Sequence, residues 1–412
     1  MTEERARSEP RASALGRAAG AALRALRQFG GESPIHILPY RGYGRPDSLF
    51  VRGRVLEDPG IGPAGKGDPW WRNVISTYKR IDSDEIPGAG VRVSAGDATL
   101  DLVSDAEGFF EGWIRPAPPL DANLLWHDVG IELTHPVRAG AAHARTHGRV
   151  LVPPRGAHFA VISDLDDTVI RTHATDLLRM LREVLFGNVH TRLPFDGVAA
   201  FYRALHAGTH EPAGGIVNPI FYVSSSPWNL YDIVFEFLEI HRIPVGPLEL
   251  RDWGIRKLTG VPFRHRAHKR EAIERVLATY PDLPFILIGD SGQQDPEIYH
   301  EVVHDFPDRI FAVYIRNVTE AAERSSRIQS LADEILRAGS TLVLADDTAA
   351  LAEHAAEQGW ISALDEQDVR AEAAEDTAAK AAGAPGARRG ERPTATVRVE
   401  RRAVPRDAAR TP

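Results

Sequence analysis

The sequence predicts an α/β protein, a doubly wound parallel sheet preceded by a smaller antiparallel β-sandwich. Three observations carry this expectation. Short apolar runs at 159–162, 220–223, 285–288 and 310–315 alternate with helical stripes, the pattern of strands covered on both faces by helices. Ahead of Pro153 and Pro154 the apolar residues instead keep period two between turn segments, as half-buried antiparallel strands do. Several later runs stop abruptly at acids or hydroxyls. That places polar groups at the carboxyl ends of strands, where open α/β sheets bind ligands.

Composition narrows the class. A chain of 412 residues has room for two or three domains. With 43% hydrophobic and 26% charged residues it has material for a sizeable core. The net charge of -8 argues against nucleic acid as a partner. No cysteine is present, which excludes disulfides and thiolate metal sites. The start, MTEERARSEP, carries acids where a secretory signal needs positive charge followed by an apolar run, and no stretch of about 18 apolar residues occurs. A cytoplasmic protein is expected, with peripheral contact at the inner membrane surface left open by the segments below.

Residues 1–34 contain an amphipathic helix at 14–29, where Leu15, Ala19, Ala22, Leu23, Leu26 and Phe29 share one face and Arg17, Arg24 and Arg27 another. It either docks on the next domain or lies on anionic lipid. The alanine-rich face favours docking, because alanine buries little area. Over 35–152, the pairs Val91 and Val93, Leu100 and Leu102, Ile131 and Leu133, and Val150 and Val152 mark strands of the sandwich, separated by PGAG, SAGD, SDAEG and RPAPPL. Trp70 and Trp71 suit either its core or a surface that meets a partner or lipid headgroups. Over 153–363, helices are expected at 176–186, from Pro227 through Leu238, and at 269–280, with an edge strand at 341–344. Residues 364–412 have hardly any large apolar side chains and turn Arg-rich beyond Arg388, so a disordered basic tail is expected. It reads as a solvated linker or as a contact to anionic lipid.

The chemistry concentrates in HFAVISDLDDTVI (158–170). A buried strand there delivers three carboxylates within four positions, Asp164, Asp166 and Asp167. Burying such charges costs several kcal/mol each, of order 3 or more, unless something cationic meets them. The ligands on offer are hard oxygens, so the cation expected is Mg²⁺. Later strand ends add Ser224 and Asp290, and Lys269 opens a helix between them.

DLDDT (164–168), Ser224, Lys269 and GDSGQQD (289–295) follow the order of the four motifs of the haloacid dehalogenase superfamily. DLDDTV, YVSSSPWNLY and IGDSGQQDPEIY are further similar to the actin-patch-associated phosphatidate phosphatases and their bacterial relatives, over roughly residues 155–344. One departure is SSSPW, where that family would have an asparagine in the middle. The resemblance implies a Mg²⁺-dependent phosphatase that converts phosphatidate to diacylglycerol. In that reading Asp164 attacks phosphorus to form an aspartyl-phosphate, and Asp166 is the general acid and then the base. Ser224 and Lys269 hold phosphoryl oxygens, with Lys257 as the competing lysine. Mg²⁺ is held by Asp164, the backbone carbonyl of Asp166, and Asp290, and Asp295 orients a bound water. Thr168, Ser225 and Trp228 are assigned to substrate binding. The interval 171–218 leaves about 45 residues for a cap, which implies a small one and an open crevice.

Two other readings stay open. The same chemistry could act on a protein, sugar or nucleotide phosphate. Alternatively, the chain is a non-catalytic membrane-surface adaptor built on the sandwich, the N-terminal helix and the Arg-rich tail, against which the complete set of acids argues.

Overall fold

The computed structural model describes residues 35–57, 85–136, 144–165, 195–209, 217–251, 263–318, 322–383 and 397–399. The expected helices at 14–29 and 176–186, Trp70 and Trp71, the cap interval up to residue 194 and nearly all of the Arg-rich tail lie outside the described residues.

The first sheet holds β1 (Ile35–Arg45), β2 (Ser48–Glu57), β3 (Gly90–Ala95), β4 (Ala98–Val103), β5 (Phe109–Ile114), β6 (Trp126–His135) and β7 (Arg145–Leu151). Their order is β4-β3-β6-β7-β1-β2-β5. All neighbours are antiparallel except β1 and β7. The expected two-sheet sandwich is therefore corrected to one sheet, which curls until its outer strands abut. A Cβ on Gly112 of β5 would come within 2.9 Å of the Leu102 side chain on β4. Strand twist brings the ends of such a sheet together and covers edges that would otherwise expose unpaired backbone. The period-two positions fill the inside, with Val55, Val91, Val93, Phe110, Ile131 and Val150 in one cluster.

The second sheet holds β8 (Ala160–Asp164), β9 (Ile220–Pro227), β10 (Leu248–Arg251), β11 (Phe285–Asp290), β12 (Ile310–Arg316), β13 (Thr341–Ala345) and β14 (Val397–Val399), in the order β10-β9-β8-β11-β12-β13-β14. It is parallel apart from β14. Between and after these strands come α1 (Val198–Ala207), a 3-10 turn (Trp228–Leu230), α2 (Tyr231–Ile240), α3 (Phe263–Thr279), α4 (Asp295–Asp305), α5 (Ala322–Arg337), α6 (Thr348–Glu357) and α7 (Ala363–Gly383). Side chains of α1, α2 and α6 pack on one face with Val161, Tyr222, Ile286 and Tyr314. Those of α3, α4 and α5 pack on the other with Ile162, Phe221, Leu287 and Val313. Helices on both faces explain why β8 and β11 are apolar without alternation. The chain steps from β8 to β9 and β10 on one side, then crosses to β11 on the other. The helices lie on opposite faces on the two sides of that reversal, and a reversal of strand order is where open α/β sheets bind ligands, at the carboxyl ends of the strands.

Two further expectations are corrected. Strand β13 is not an edge, because β14 pairs with it antiparallel. The tail is not uniformly without structure, since α7 runs from Ala363 and buries Val369. Its acids also serve α1. Asp376 accepts from the Gly197 amide at 3.0 Å and Glu372 from the Ala200 amide at 2.7 Å. First-turn amides lack partners inside their own helix, and carboxylates there also complement the helix dipole. Composition misses α7 because alanine and glutamate favour a helix without supplying a large apolar stripe.

The two sheets meet along β1 and β2. In a regular strand, residues three apart point to opposite faces. A register shift between Tyr40 and Tyr43 removes that alternation. Tyr40 then meets Trp228 at 4.6 Å between ring centroids, and Tyr43 meets Phe221 at 5.9 Å. On β2, Leu49, Val51 and Val55 enter the interior of the curled sheet, which turns Phe50, Arg52 and Arg54 outward toward the second sheet.

Candidate active site

Strand register assembles the site. Asp164 of β8 pairs with Val223 of β9, and Ser163 pairs with Ile288 of β11. Ser224 and Asp290 therefore each lie one residue beyond the row that holds Asp164, on strands about 4.8 Å to either side. Asp295, the first residue of α4, folds back onto β11. Its Oδ2 accepts from the Asp290 amide at 3.2 Å. Gly289 is what lets it approach, because a Cβ there would lie 2.5 Å from that same oxygen. Asp164, Asp290 and Asp295 are all fully buried, and each offers a carboxylate oxygen within 4.8 Å of the others.

Lys269 reaches this group from α3. Its Nζ lies 2.8 Å from Asp164 Oδ1 and is also paired with Asp295 Oδ1. Burial alone would lower the pKa of the ammonium. The charges of Asp164 and Asp295 outweigh burial and hold it above the usual lysine range. Helix α3 begins at Phe263, so Lys269 stands in its second turn and not at its start as expected. Lys257 lies outside the described residues, as do Asp166 and Thr168.

Asp290 is the least satisfied member. Its Oδ1 accepts from the amides of Gly292 at 2.6 Å and Gln293 at 2.9 Å. Its Oδ2 is buried and has no hydrogen-bond partner among the described residues. Burial and the neighbouring Asp295 push its pKa up to about 7, against the opposing pull of Lys269 and the two amides. Three buried carboxylates facing one ammonium leave negative charge in excess. Such a set takes up protons or a hard cation, and an all-oxygen donor set suits Mg²⁺ better than a soft metal. The residues present thus fit a divalent ion.

Ser224 is buried at the end of the regular β9 pairing, and its Oγ accepts from the Ser226 amide at 2.9 Å. It stabilises the turn that carries it while standing beside Asp164. Ser225 is half-buried next to it. Trp228 is placed differently from the expectation. Its ring is buried against Tyr40 and Tyr231, and the Arg52 guanidinium lies 4.9 Å over it. The large apolar ring completes the joint between the two sheets.

Some supporting groups were not singled out from the sequence. Ser163 Oγ donates to the Asp164 carbonyl at 2.7 Å and meets Tyr202 Oη at 2.6 Å. Arg324 of α5 donates to the Ser291 carbonyl at 2.8 Å and to Glu297 Oε2 at 2.9 Å, which pins the loop after Asp290. Ser163 precedes the first acid and was in view. Arg324 carries no local signal, because it acts on a loop some 33 residues earlier.

Residues 159–317 match the family model for the catalytic domain of phosphatidate phosphatase APP1. The chain is 30% identical over 198 residues to phosphatidate phosphatase APP1 of Saccharomyces cerevisiae, covering 48% of this chain and 32% of the relative. It is 31% identical over 166 residues to an uncharacterized protein of Schizosaccharomyces pombe, covering 39% of this chain and 25% of the relative. The chain thus matches a third or less of the length of these curated relatives. Among solved structures, a carbohydrate acetylesterase from Xanthomonas citri is 13% identical, with 70% of this chain and 71% of that one covered. Its TM-score is 0.25, too low to carry an argument about fold or function. No helix among the described residues is long and apolar enough to cross a membrane.

Proposed function

We propose that the chain is a Mg²⁺-dependent phosphatase of the haloacid dehalogenase type, which hydrolyses phosphatidate at a membrane surface through an aspartyl-phosphate. The observation that carries the reading is the buried trio Asp164, Asp290 and Asp295 facing one ammonium at the carboxyl ends of β8 and β11. The likeness of residues 159–317 to a phosphatidate phosphatase catalytic domain supports the choice of substrate.

Asp164, Asp290 and Asp295, with the Asp166 carbonyl, would hold Mg²⁺, which supplies positive charge to the phosphoryl oxygens when bound. The remaining chemistry belongs to side chains. A carboxylate oxygen of Asp164 attacks phosphorus, and the bond from phosphorus to the glycerol oxygen breaks. Asp166 gives its proton to that oxygen, and diacylglycerol leaves. Asp166 then takes a proton from water as the water oxygen attacks phosphorus. Inorganic phosphate departs and the Asp164 carboxylate is restored. Lys269 and Ser224 hold phosphoryl oxygens, and the lysine offsets charge that builds in the transition state.

Phosphate release from phosphatidate vesicles tests this directly. Asp164→Asn should lower it by a factor of about a thousand or more, with an unchanged circular dichroism spectrum. Retention of more than a small fraction of activity would rule out Asp164 as nucleophile. Soluble sugar, nucleotide and peptide phosphates belong in the same assay. Preference for one of them would keep the chemistry and replace the substrate.

A further inference from the structure

The segment that follows the β9 serines, Pro227 to Tyr231, is held by the curled sheet on both of its flanks. We propose that Arg52 and Arg54 of β2 are positioning residues for the Ser224 loop, so that the first sheet sets the geometry of the site in the second. The proposal rests on the reading of Ser224 as a phosphoryl contact.

Arg52 holds the loop from two directions. Its Nη1 donates to Glu249 Oε2 at 3.2 Å. Glu249 pairs with Val223 in the β9–β10 register, directly before Ser224. Its guanidinium also lies over the ring of Trp228, a few residues after Ser224. Arg54 adds a bond from Nη1 to Asn229 Oδ1 at 2.8 Å. Backbone follows the same path, since the Arg41 amide donates to Tyr231 Oη at 2.9 Å.

Both arginines are fixed at their own end. Arg52 Nε donates to Glu111 Oε2 at 2.7 Å, Arg54 Nε to the Glu107 carbonyl at 2.8 Å, and Arg54 Nη2 to Glu85 Oε1 at 3.0 Å. A planar guanidinium tied on one edge presents its other edge in a set direction. A joint that only glued the sheets together could make its contacts anywhere along the helices. Here the bonds of Arg52 and Arg54 to the second sheet converge on the strand end and turn that frame Ser224. A reacting group displaced by about 1 Å can lose a hundredfold in rate, so a loop held this firmly has a direct route to turnover.

Hydrogen exchange and kinetics on the full chain decide the matter together. The variants are Arg54→Ala, Asn229→Leu and Asn229→Asp, the last keeping an acceptor for Arg54. In the first two, amides of 224–230 should exchange at least about tenfold faster while those of 285–290 in β11 do not change. Their kcat on p-nitrophenyl phosphate should fall about ten- to a hundredfold, and Asn229→Asp should retain both properties of the parent. Unchanged exchange at 224–230, equal acceleration in β11, or normal turnover with a loosened loop would each overturn the proposal. Asn229 is exposed, so its variants stand even where Arg54→Ala fails to fold. A parent chain with no activity on any phosphomonoester would instead defeat the proposed function and the catalytic half of this inference, and the exchange result would still decide whether β2 holds the loop.

Discussion

Two groups of buried carboxylates among the described residues are balanced differently. At the joint, Glu249 lies between Arg52 at 3.2 Å and Arg275 at 2.9 Å. Burial would raise its pKa, and the two guanidinium charges outweigh burial and hold it below the usual carboxylate range. At the ends of β8 and β11, three carboxylates share Lys269, and Asp290 is pushed up to about 7. The side-chain chemistry and the burial are alike. The number of cations that the chain itself supplies is not. A complete ion network belongs to the architecture. An incomplete one, at the carboxyl ends of strands, calls for its missing charge from a ligand.

The same substitution made in the two places should therefore have opposite effects. Glu249→Gln strands two guanidinium groups and should lower stability to urea by about 3 kcal/mol, with the more exposed Arg275 accounting for the smaller part. Because the folded pKa of Glu249 is depressed, its contribution is present above the unfolded value of about 4.3 and lost as pH falls through the lower folded value. The parent should show this acid loss and the variant should not.

Asp290→Asn, measured without divalent ions, should instead stabilise the fold by about 1 kcal/mol at pH 8. The folded pKa of Asp290 is raised, so its ionised form opposes folding. The gain should be full above about 7 and vanish below the unfolded value of about 3.9. A destabilised variant would remove the contrast between the two sites. The smallest effect is expected from Arg92→Ala, which breaks an exposed pair with Asp101 at 2.7 Å on β3 and β4. It should leave the urea midpoint where it was. A loss as large as that of Glu249→Gln would show that burial is not the deciding variable.

How much of this could be read in advance differs from residue to residue. Asp164 and Asp290 were legible because an apolar run that ends in an acid says both where the strand stops and what it presents. Lys269 was legible as a candidate. Its place among the acids depends on where α3 starts and how it packs, which short-range pattern does not determine. The curled sheet was half legible. Alternation marks strands and their inner faces, but the β1–β7 pairing and the approach of β5 to β4 are contacts between distant segments. Trp228 was assigned to substrate binding, and its place at the joint was hidden because the groups that meet this turn come from far away in the chain, as with Arg54, which donates to Asn229 from 175 residues earlier. Composition hid α7 for a related reason, since Glu372 acts on α1 some 172 residues away.

The central claim is that Asp164, Asp290 and Asp295 form an ion set that a divalent cation completes. Calorimetric titration of Mg²⁺ into the metal-free full chain, beside Asp290→Asn, tests it most directly. The parent should bind a single Mg²⁺ and gain thermal stability as it does so, and the variant should bind at least about tenfold more weakly. No binding to the parent, or equal binding by the two proteins, would contradict the account.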